Sequence, residues 1–127
     1  MILMVKIVSF DELIINADII SLHIPVNKSK GYVINSDIIA KMKQGAYLIN
    51  TSRGGLVDEE ALYAAIKSGK LAGAGIDTFE KEPHKGKLIE LDNVVLTSHI
   101  GSYAKDARIL MEKQAVENLL KGLGVKA

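Results

Sequence analysis

The chain has 127 residues, of which 48% are hydrophobic, so it can build the core of about one domain. Its formal net charge is +1 with the two signs interspersed, which argues against nucleic acid or an anionic membrane as the main partner. The sequence has no cysteine, which excludes disulfides and thiolate metal sites, and no apolar run approaches the roughly 18 residues of a membrane-spanning helix. Its three histidines show no clustered metal-ligand spacing, so we expect no metal and a soluble cytoplasmic protein.

Strand and helix patterns alternate along the chain, which predicts a parallel α/β sheet. Val5–Val8 is predicted to be a short strand. Ser9 and Glu12 have the spacing of a capping box, which predicts a helix through about Asn16. The run Asp18–Ile24 is nearly continuously apolar, as a strand covered on both faces of its sheet requires.

The middle of the chain continues this alternation. Ser36 is predicted to cap a short helix, the strand Ala46–Ile49 follows it, and Asp58 is predicted to cap the next helix. Two further strands are predicted at Leu71–Ile76 and Val94–Leu96, with a polar loop from residue 80 to residue 91 between them. The residues predicted to turn inward from the two helices are Ile38, Ile39, Met42, Ala61, Leu62, Ala65 and Ile66.

A long final helix is predicted from about Tyr103 to Lys121. Its apolar residues cover more than one narrow stripe, which is typical of a helix that lies between two surfaces. We therefore expect a partner surface for this helix.

A phosphate-binding glycine loop is missing from this sequence. A dinucleotide-binding domain normally opens with a strand, a G-x-G-x-x-G loop and a helix. Gly73-Ala74-Gly75 lacks the third glycine and is followed by a loop, and Gly122-Leu123-Gly124 has almost nothing after it. The predicted fold is therefore a parallel-sheet Rossmann-type α/β fold that is truncated, without the first βαβ unit and its glycine loop.

Polar side chains are predicted at the carboxyl ends of neighbouring strands, where ligands collect in open parallel sheets. Arg53 follows one strand, Asp77 and then Glu82 follow the next, and His99 follows the last. An arginine can bind a carboxylate through two parallel hydrogen bonds. A histidine oriented by a carboxylate can take a hydroxyl proton. This set predicts chemistry on a 2-hydroxy or 2-oxo acid, and Gly54 next to Arg53 permits a sharp turn or a close approach to a ligand.

Each of these residues also has a simpler interpretation. Arg53 alone could be a surface arginine in a loop, His99 a structural strand-end histidine, Asp77 a loop cap, and Glu82 part of a solvated charged run. The remaining histidines are interpreted as structural or as a wall of a cofactor cleft (His23) and as an exposed loop residue (His84). It is the joint order and the strand-end placement that favour the functional interpretation.

Three segments resemble the D-isomer-specific 2-hydroxyacid dehydrogenases: Ile49–Asp58, Gly75–Pro83 and Leu96–Gly101. They occur in the family's order and spacing, and the resemblance covers essentially the whole chain but only the C-terminal half of the family. It implies an NAD-dependent oxidoreductase in which Arg53 binds and polarises the substrate, His99 is the acid/base and Glu82 is its carboxylate partner. Ser98 departs from the pattern, which usually has proline there.

The resemblance also implies a set of cofactor contacts and a domain division. Residues 1–102 would be a partial NAD-binding domain, and residues 103–127 a helix that returns to a substrate domain. The residues implied to contact the cofactor are Ile24, Pro25, Thr51, Ser52, Arg53, Asp77, His99, Gly101 and Ser102.

Without the glycine loop, the isolated chain is expected to bind NAD weakly and to turn over little or nothing. An open sheet edge and an uncovered apolar helix favour association, so we expect a homo-oligomer. Two alternatives stay open at this point: a non-catalytic cofactor-sensing and dimerisation module of corepressor type, and a fragment without a function of its own.

Overall fold

A computed structural model describes residues 5–27, 29–101 and 103–125 of the chain. Four parallel strands form one sheet in sequential order, as successive right-handed crossovers produce. The strands are β1 (Ile19–Leu22), β2 (Ala46–Asn50), β3 (Leu71–Ile76) and β4 (Val94–Leu96). The helices are α1 (Phe10–Asn16), α2 (Ser36–Lys41), α3 (Glu59–Lys67) and α4 (Lys105–Gly122), with a 3₁₀ turn at Lys87–Glu90. The predicted Rossmann-like α/β fold is confirmed.

The core lies against one face of the sheet. Ile20 of β1 is aligned with Leu48 of β2, and Leu48 with Ala74 of β3, and all three are buried. On the opposite face, Ile19 is aligned with Tyr47, and both are exposed. The prediction that the first strand is covered on both faces is therefore wrong for the described residues. Buried and exposed side chains alternate along β1, because its helices cover only one side.

Helix caps account for three of the helix starts. The Ser9 hydroxyl accepts a hydrogen bond from the Glu12 amide, and the Asp58 carboxylate accepts from the amides of the second and third residues of α3, as predicted. The predicted cap of α2 is wrong by one residue. Asn35, not Ser36, has the extended backbone of a cap, and its side chain accepts a backbone hydrogen bond from the first turn. Both residue types are good caps, so composition alone did not distinguish them.

The predicted strand Val5–Val8 is absent from the structure, in which residues 5–9 have no regular secondary structure. Val5 and Ile7 are 85% and 94% exposed. A strand needs a neighbour to satisfy its backbone groups, and within the described sheet β1 pairs with β2. Apolar composition was therefore not enough to make these residues a strand.

The predicted polar loop between β3 and β4 contains a buried apolar residue. Leu88, in the 3₁₀ turn, is fully buried and belongs to the core. Leu88 helps to anchor the segment that joins the two strands carrying the site described below.

The structure describes every residue of α4, and none of them is buried. Its exposed apolar side chains include Leu110, Val116 and Leu119. The helix begins at Lys105, two residues later than predicted. The expected partner surface for this helix stays a prediction. Across the described ranges, every helix is too short or too polar to span a bilayer.

Candidate active site

The centre of the site is a contact between a histidine and a carboxylate. His99 Nδ1 lies 3.2 Å from both Oε1 and Oε2 of Glu82. A carboxylate at this position accepts the hydrogen of Nδ1, which leaves the lone pair of Nε2 free to take a proton. Both side chains are partly exposed, so a substrate can reach the imidazole.

The Glu82 carboxylate also accepts a hydrogen bond from the backbone. The backbone N–H of Phe79 donates to Glu82 Oε1 at 3.2 Å. This bond first, and then the hydrogen bond with His99, lowers the pKa of Glu82 below its ordinary value. The carboxylate is therefore ionised at neutral pH.

The backbone around His99 is held by Asp77, which is only 5% exposed. The carboxylate accepts hydrogen bonds from Thr97 Oγ1 at 2.5 Å, from the Ile100 amide at 2.9 Å and from the Gly101 amide at 3.1 Å. Burial acts to raise the pKa of Asp77, but these three hydrogen bonds together with the charge of His99 outweigh it, and the pKa is lowered from its ordinary value. Asp77 is therefore a buried anion that ties together residues on both sides of His99.

His99 needs this support because its backbone is strained. Its φ is 57°, in the left-handed region that a residue with a side chain rarely adopts. Such conformations persist at functional sites when the surrounding structure holds them. The hydrogen bonds of Asp77 to the residues before and after His99 provide that hold.

The loop after β2 presents Arg53 and is stabilised by a buried asparagine that the sequence analysis missed. The Asn50 side chain accepts from the Ser52 amide at 3.1 Å and donates to the Arg53 carbonyl at 3.0 Å. Asn50 is 1% exposed, whereas Arg53 is exposed and its Nη1 donates to the Ser52 carbonyl at 2.6 Å. An asparagine at a strand end often closes such a turn, and this was the available sequence signal.

A cavity of about 360 Å³ opens at the carboxyl ends of β1 and β2. It is lined by His23, Ile24, Pro25, Val26, Ser52 and Arg53. The Ser52 hydroxyl donates to the Ile24 carbonyl at 3.2 Å, which joins the two walls. The structure therefore brings together four of the residues predicted to face the cofactor, namely Ile24, Pro25, Ser52 and Arg53.

A second cavity, of about 640 Å³, lies beside the histidine–carboxylate pair and is lined in part by Glu82, Ser98 and Ile100. Arg53 thus lines the first cavity and Glu82 the second. The structure brings Glu82 and His99 into contact, and it bonds the Asp77 carboxylate to the backbone that follows His99. It places Arg53 at the neighbouring strand end, where the arginine lines a different cavity from Glu82. Thr51 is exposed at that end, and Ser102 lies outside the described residues.

His84 is not the exposed loop residue that was predicted. Its side chain is only 9% exposed, and its Nδ1 lies 3.3 Å from a carboxylate oxygen of Glu59. Its ring stacks on Phe79, with the ring centres 4.3 Å apart. The polar composition of the loop did not indicate that this residue is buried. Its burial depends on contacts with α3 and with the segment that follows β3.

The residues present fit one end of a dinucleotide. The cavity at the ends of β1 and β2 could hold a nicotinamide ring and its ribose. The sequence contains no G-x-G-x-x-G segment, so it lacks the usual site for the pyrophosphate. Ile24, Pro25, Arg53 and Asp77 are the residues that would hold the nicotinamide end.

Sequential parallel strands with charged side chains at their carboxyl edge define a Rossmann-like α/β domain. Residues 2–101 match the family described as "D-isomer specific 2-hydroxyacid dehydrogenase, NAD binding domain", and the chain belongs to this family. The resemblance found from the three motifs is thereby confirmed, as is the assignment of NAD as the cofactor of the family.

Similar proteins are named as dehydrogenases and reductases. The chain is 46% identical over 125 residues to hydroxypyruvate reductase of Thermotoga maritima, covering 95% of this chain and 41% of that protein. It is 42% identical over 127 residues to D-3-phosphoglycerate dehydrogenase of Archaeoglobus fulgidus, covering 96% and 24%. A solved NAD complex of a D-isomer specific 2-hydroxyacid dehydrogenase from Lactobacillus delbrueckii has a TM-score of 0.77 and 34% identity, covering 94% and 42%. The chain therefore spans less than half the length of these relatives.

Proposed function

We propose that this chain provides the nicotinamide-binding and acid/base part of an NAD-dependent D-2-hydroxyacid dehydrogenase. The observation that carries the proposal is the contact of His99 Nδ1 with Glu82 at 3.2 Å, at a sheet edge shared with Arg53. The intact enzyme would move a hydride between C2 of a 2-hydroxy acid and nicotinamide. When bound, NAD supplies the acceptor for that hydride.

The chain's own residues would handle the proton and the carboxylate. In the oxidation, His99 Nε2 takes the hydroxyl proton as the C2–H bond breaks and the C–O bond becomes a carbonyl. Glu82 stabilises the resulting imidazolium and holds the ring in position. Arg53 binds the substrate carboxylate and, in the reverse direction, polarises the carbonyl.

The cofactor contacts are proposed at the same edge. Ile24 and Pro25 would line the nicotinamide cleft, while the loop residues Thr51 and Ser52 would face the cofactor beside Arg53. Near the acid/base pair, Asp77, His99, Gly101 and Ser102 would complete this set. Support comes from the cavity that Ile24, Pro25, Ser52 and Arg53 line together, and from the Asp77 carboxylate at the end of β3.

For the substrate, we propose 3-phosphoglycerate, the substrate of the phosphoglycerate dehydrogenase type, at the start of serine biosynthesis. The support is the resemblance of the segment His99–Lys105 to that type, together with the relative from A. fulgidus that carries this name. The relative from T. maritima is named for hydroxypyruvate, a 2-oxo acid, so the two names agree on the class of reaction and differ on the substrate. The relatives named above give no support to the corepressor alternative.

We also propose that residues 1–102 form the partial NAD-binding domain and that residues 103–127 leave it. The support is that every residue of α4 is unburied. In the longer relatives this helix would have a further surface to cover it.

The direct test is a titration of the chain with NADH. We expect binding weaker than micromolar, because no glycine loop meets the pyrophosphate. Isothermal titration gives the affinity, and NMR amide shifts locate the site, which should include Ile24, Arg53, Asp77 and Gly101. Micromolar affinity would refute the expected weakness, and saturable shifts confined to other residues would refute the proposed cofactor site.

The second prediction is that the chain associates through α4. The exposed apolar residues of this helix favour burial against a second copy. Light scattering across a range of concentrations should show a dimer or larger species, and Leu119→Asp should reduce it. Gln114→Asp adds the same charge to an exposed polar position of the helix and is the matched control. A monomer at all concentrations would contradict the prediction.

A further inference from the structure

At Gly54, the loop that carries Arg53 packs against the backbone of the segment that leads to Glu82. A Cβ added at Gly54 would lie 1.9 Å from the carbonyl oxygen of Phe79, 2.1 Å from its carbonyl carbon and 2.6 Å from the Glu80 nitrogen. No side chain fits there, since the atoms it would meet are main-chain atoms that cannot rotate away. The close approach foreseen at Gly54 is therefore made to the chain itself rather than to a ligand.

The segment touched by Gly54 leads directly to the acid/base pair. The Phe79 amide donates to Glu82, and Glu82 contacts His99, each at 3.2 Å. The segment has little freedom to withdraw, because the Phe79 side chain is buried and the Glu80 amide donates to Glu59 Oε1 at 2.9 Å.

The arginine side of the contact is equally constrained. The buried Asn50 side chain bonds the backbone of Ser52 and of Arg53, and the Asn50 carbonyl accepts from the Asp77 amide at 3.0 Å. Gly55, the next residue after Gly54, has a φ of +79° and completes the turn in a conformation suited to glycine. Gly54 therefore lies where two constrained segments of the chain meet, the loop that carries Arg53 and the segment that leads to Glu82.

We propose that Gly54 is a positioning residue for the reaction. Its backbone contact with Phe79 and Glu80 sets the placement of the substrate-binding guanidinium of Arg53 relative to the Glu82–His99 pair. The roles of Arg53 and His99 rest on the proposed function, whereas the contact and its transmission to Glu82 do not. A displacement of about 1 Å at such a contact can cost about 100-fold in rate, since the carboxylate and the reacting carbon of one substrate must be held together.

The test compares Gly54→Ala with Gly75→Ala in the full chain by NMR. Gly75 is the matched control, because a Cβ there would lie 4.0 Å from the nearest atom, an ordinary contact. Gly54→Ala should move the Phe79 amide resonance and shift the tautomer ratio of the His99 ring, read from its ¹⁵N shifts, toward that of Glu82→Gln. Gly75→Ala should leave both as in the wild type. A folded Gly54→Ala with unchanged Phe79 and His99 signals would overturn the proposal.

A reciprocal measurement covers the case in which Gly54→Ala does not fold. Glu82→Gln changes a partly exposed side chain. It should move the amide resonance of Gly54 as well as that of Phe79. If Glu82→Gln moves the amide resonance of Phe79 but not that of Gly54, the two segments are not coupled and the proposal fails. Neither readout uses cofactor or substrate, so a failure of the proposed dehydrogenase function would leave this result intact. In an active enzyme carrying this segment, Gly54→Ala should lower kcat/KM by about 100-fold.

Discussion

Replacing His99 by alanine is expected to lower kcat/KM by about 10²–10⁴-fold, the usual contribution of a positioned acid/base group. The measurement needs a complete enzyme, which a chimera can provide. Residues 2–101 would replace the matching segment of the T. maritima hydroxypyruvate reductase, whose sequence is 46% identical to this chain over 125 residues. Oxidation of NADH with hydroxypyruvate then reports turnover. The loss is expected because, under the proposed function, His99 Nε2 exchanges the substrate's hydroxyl proton.

His84→Ala is the matched control for the loss of an imidazole. That ring packs on Phe79 and against Glu59, so its removal should lower the stability of the chimera, and the folded fraction should lose less turnover than His99→Ala does. NADH affinity should be similar in the chimera with and without His99→Ala. If the His99→Ala chimera is folded, binds NADH and turns over like its parent, the assignment of His99 as the acid/base is wrong.

Asp77→Asn is expected to lower the free energy of unfolding by about 1.5–3 kcal/mol at pH 7, the range for a hydrogen bond to a charged group. The Asp77 carboxylate accepts from Thr97, Ile100 and Gly101, and an amide in its place must direct its NH₂ group toward a donor. The substitution also weakens the hydrogen bonds that hold the strained backbone of His99 in place. Urea denaturation measures the change. The exposed Asp92, replaced by asparagine, is the control and should change stability by less than about 0.5 kcal/mol.

The same substitution should alter the acid dependence of stability. The pKa of Asp77 in the folded chain is lowered, so its ionised form stabilises the fold above the unfolded pKa of about 3.9. That contribution is lost as the pH falls through the lower folded pKa. In the Asp77→Asn variant, the free energy of unfolding should therefore fall less steeply below about pH 4 than it does in the wild type. In the Asp92→Asn variant, it should fall as it does in the wild type. Parallel acid limbs for the wild type and Asp77→Asn would show that Asp77 is not held as an anion.

Short-range chemistry made much of this protein predictable from its sequence. A cap depends on atoms a few residues away, which is why Ser9 and Asp58 were found, and the same dependence makes neighbouring candidates such as Asn35 and Ser36 hard to separate. The contact between Glu82 and His99 was also predictable. Parallel strands end at one edge of their sheet, so polar residues that follow successive strands, such as Glu82 and His99, come near each other.

The folded chain decided the features that depend on which surfaces meet. The contact of Gly54 with Phe79 and the burial of His84 join parts of the chain that no local pattern relates. The extended segment at Val5–Val8 and the exposed face of β1 have apolar sequences, yet neither is buried in the described structure. Spacing along a chain predicts the direction in which a side chain points, but burial is set by what covers it, and only the tertiary arrangement determines that cover.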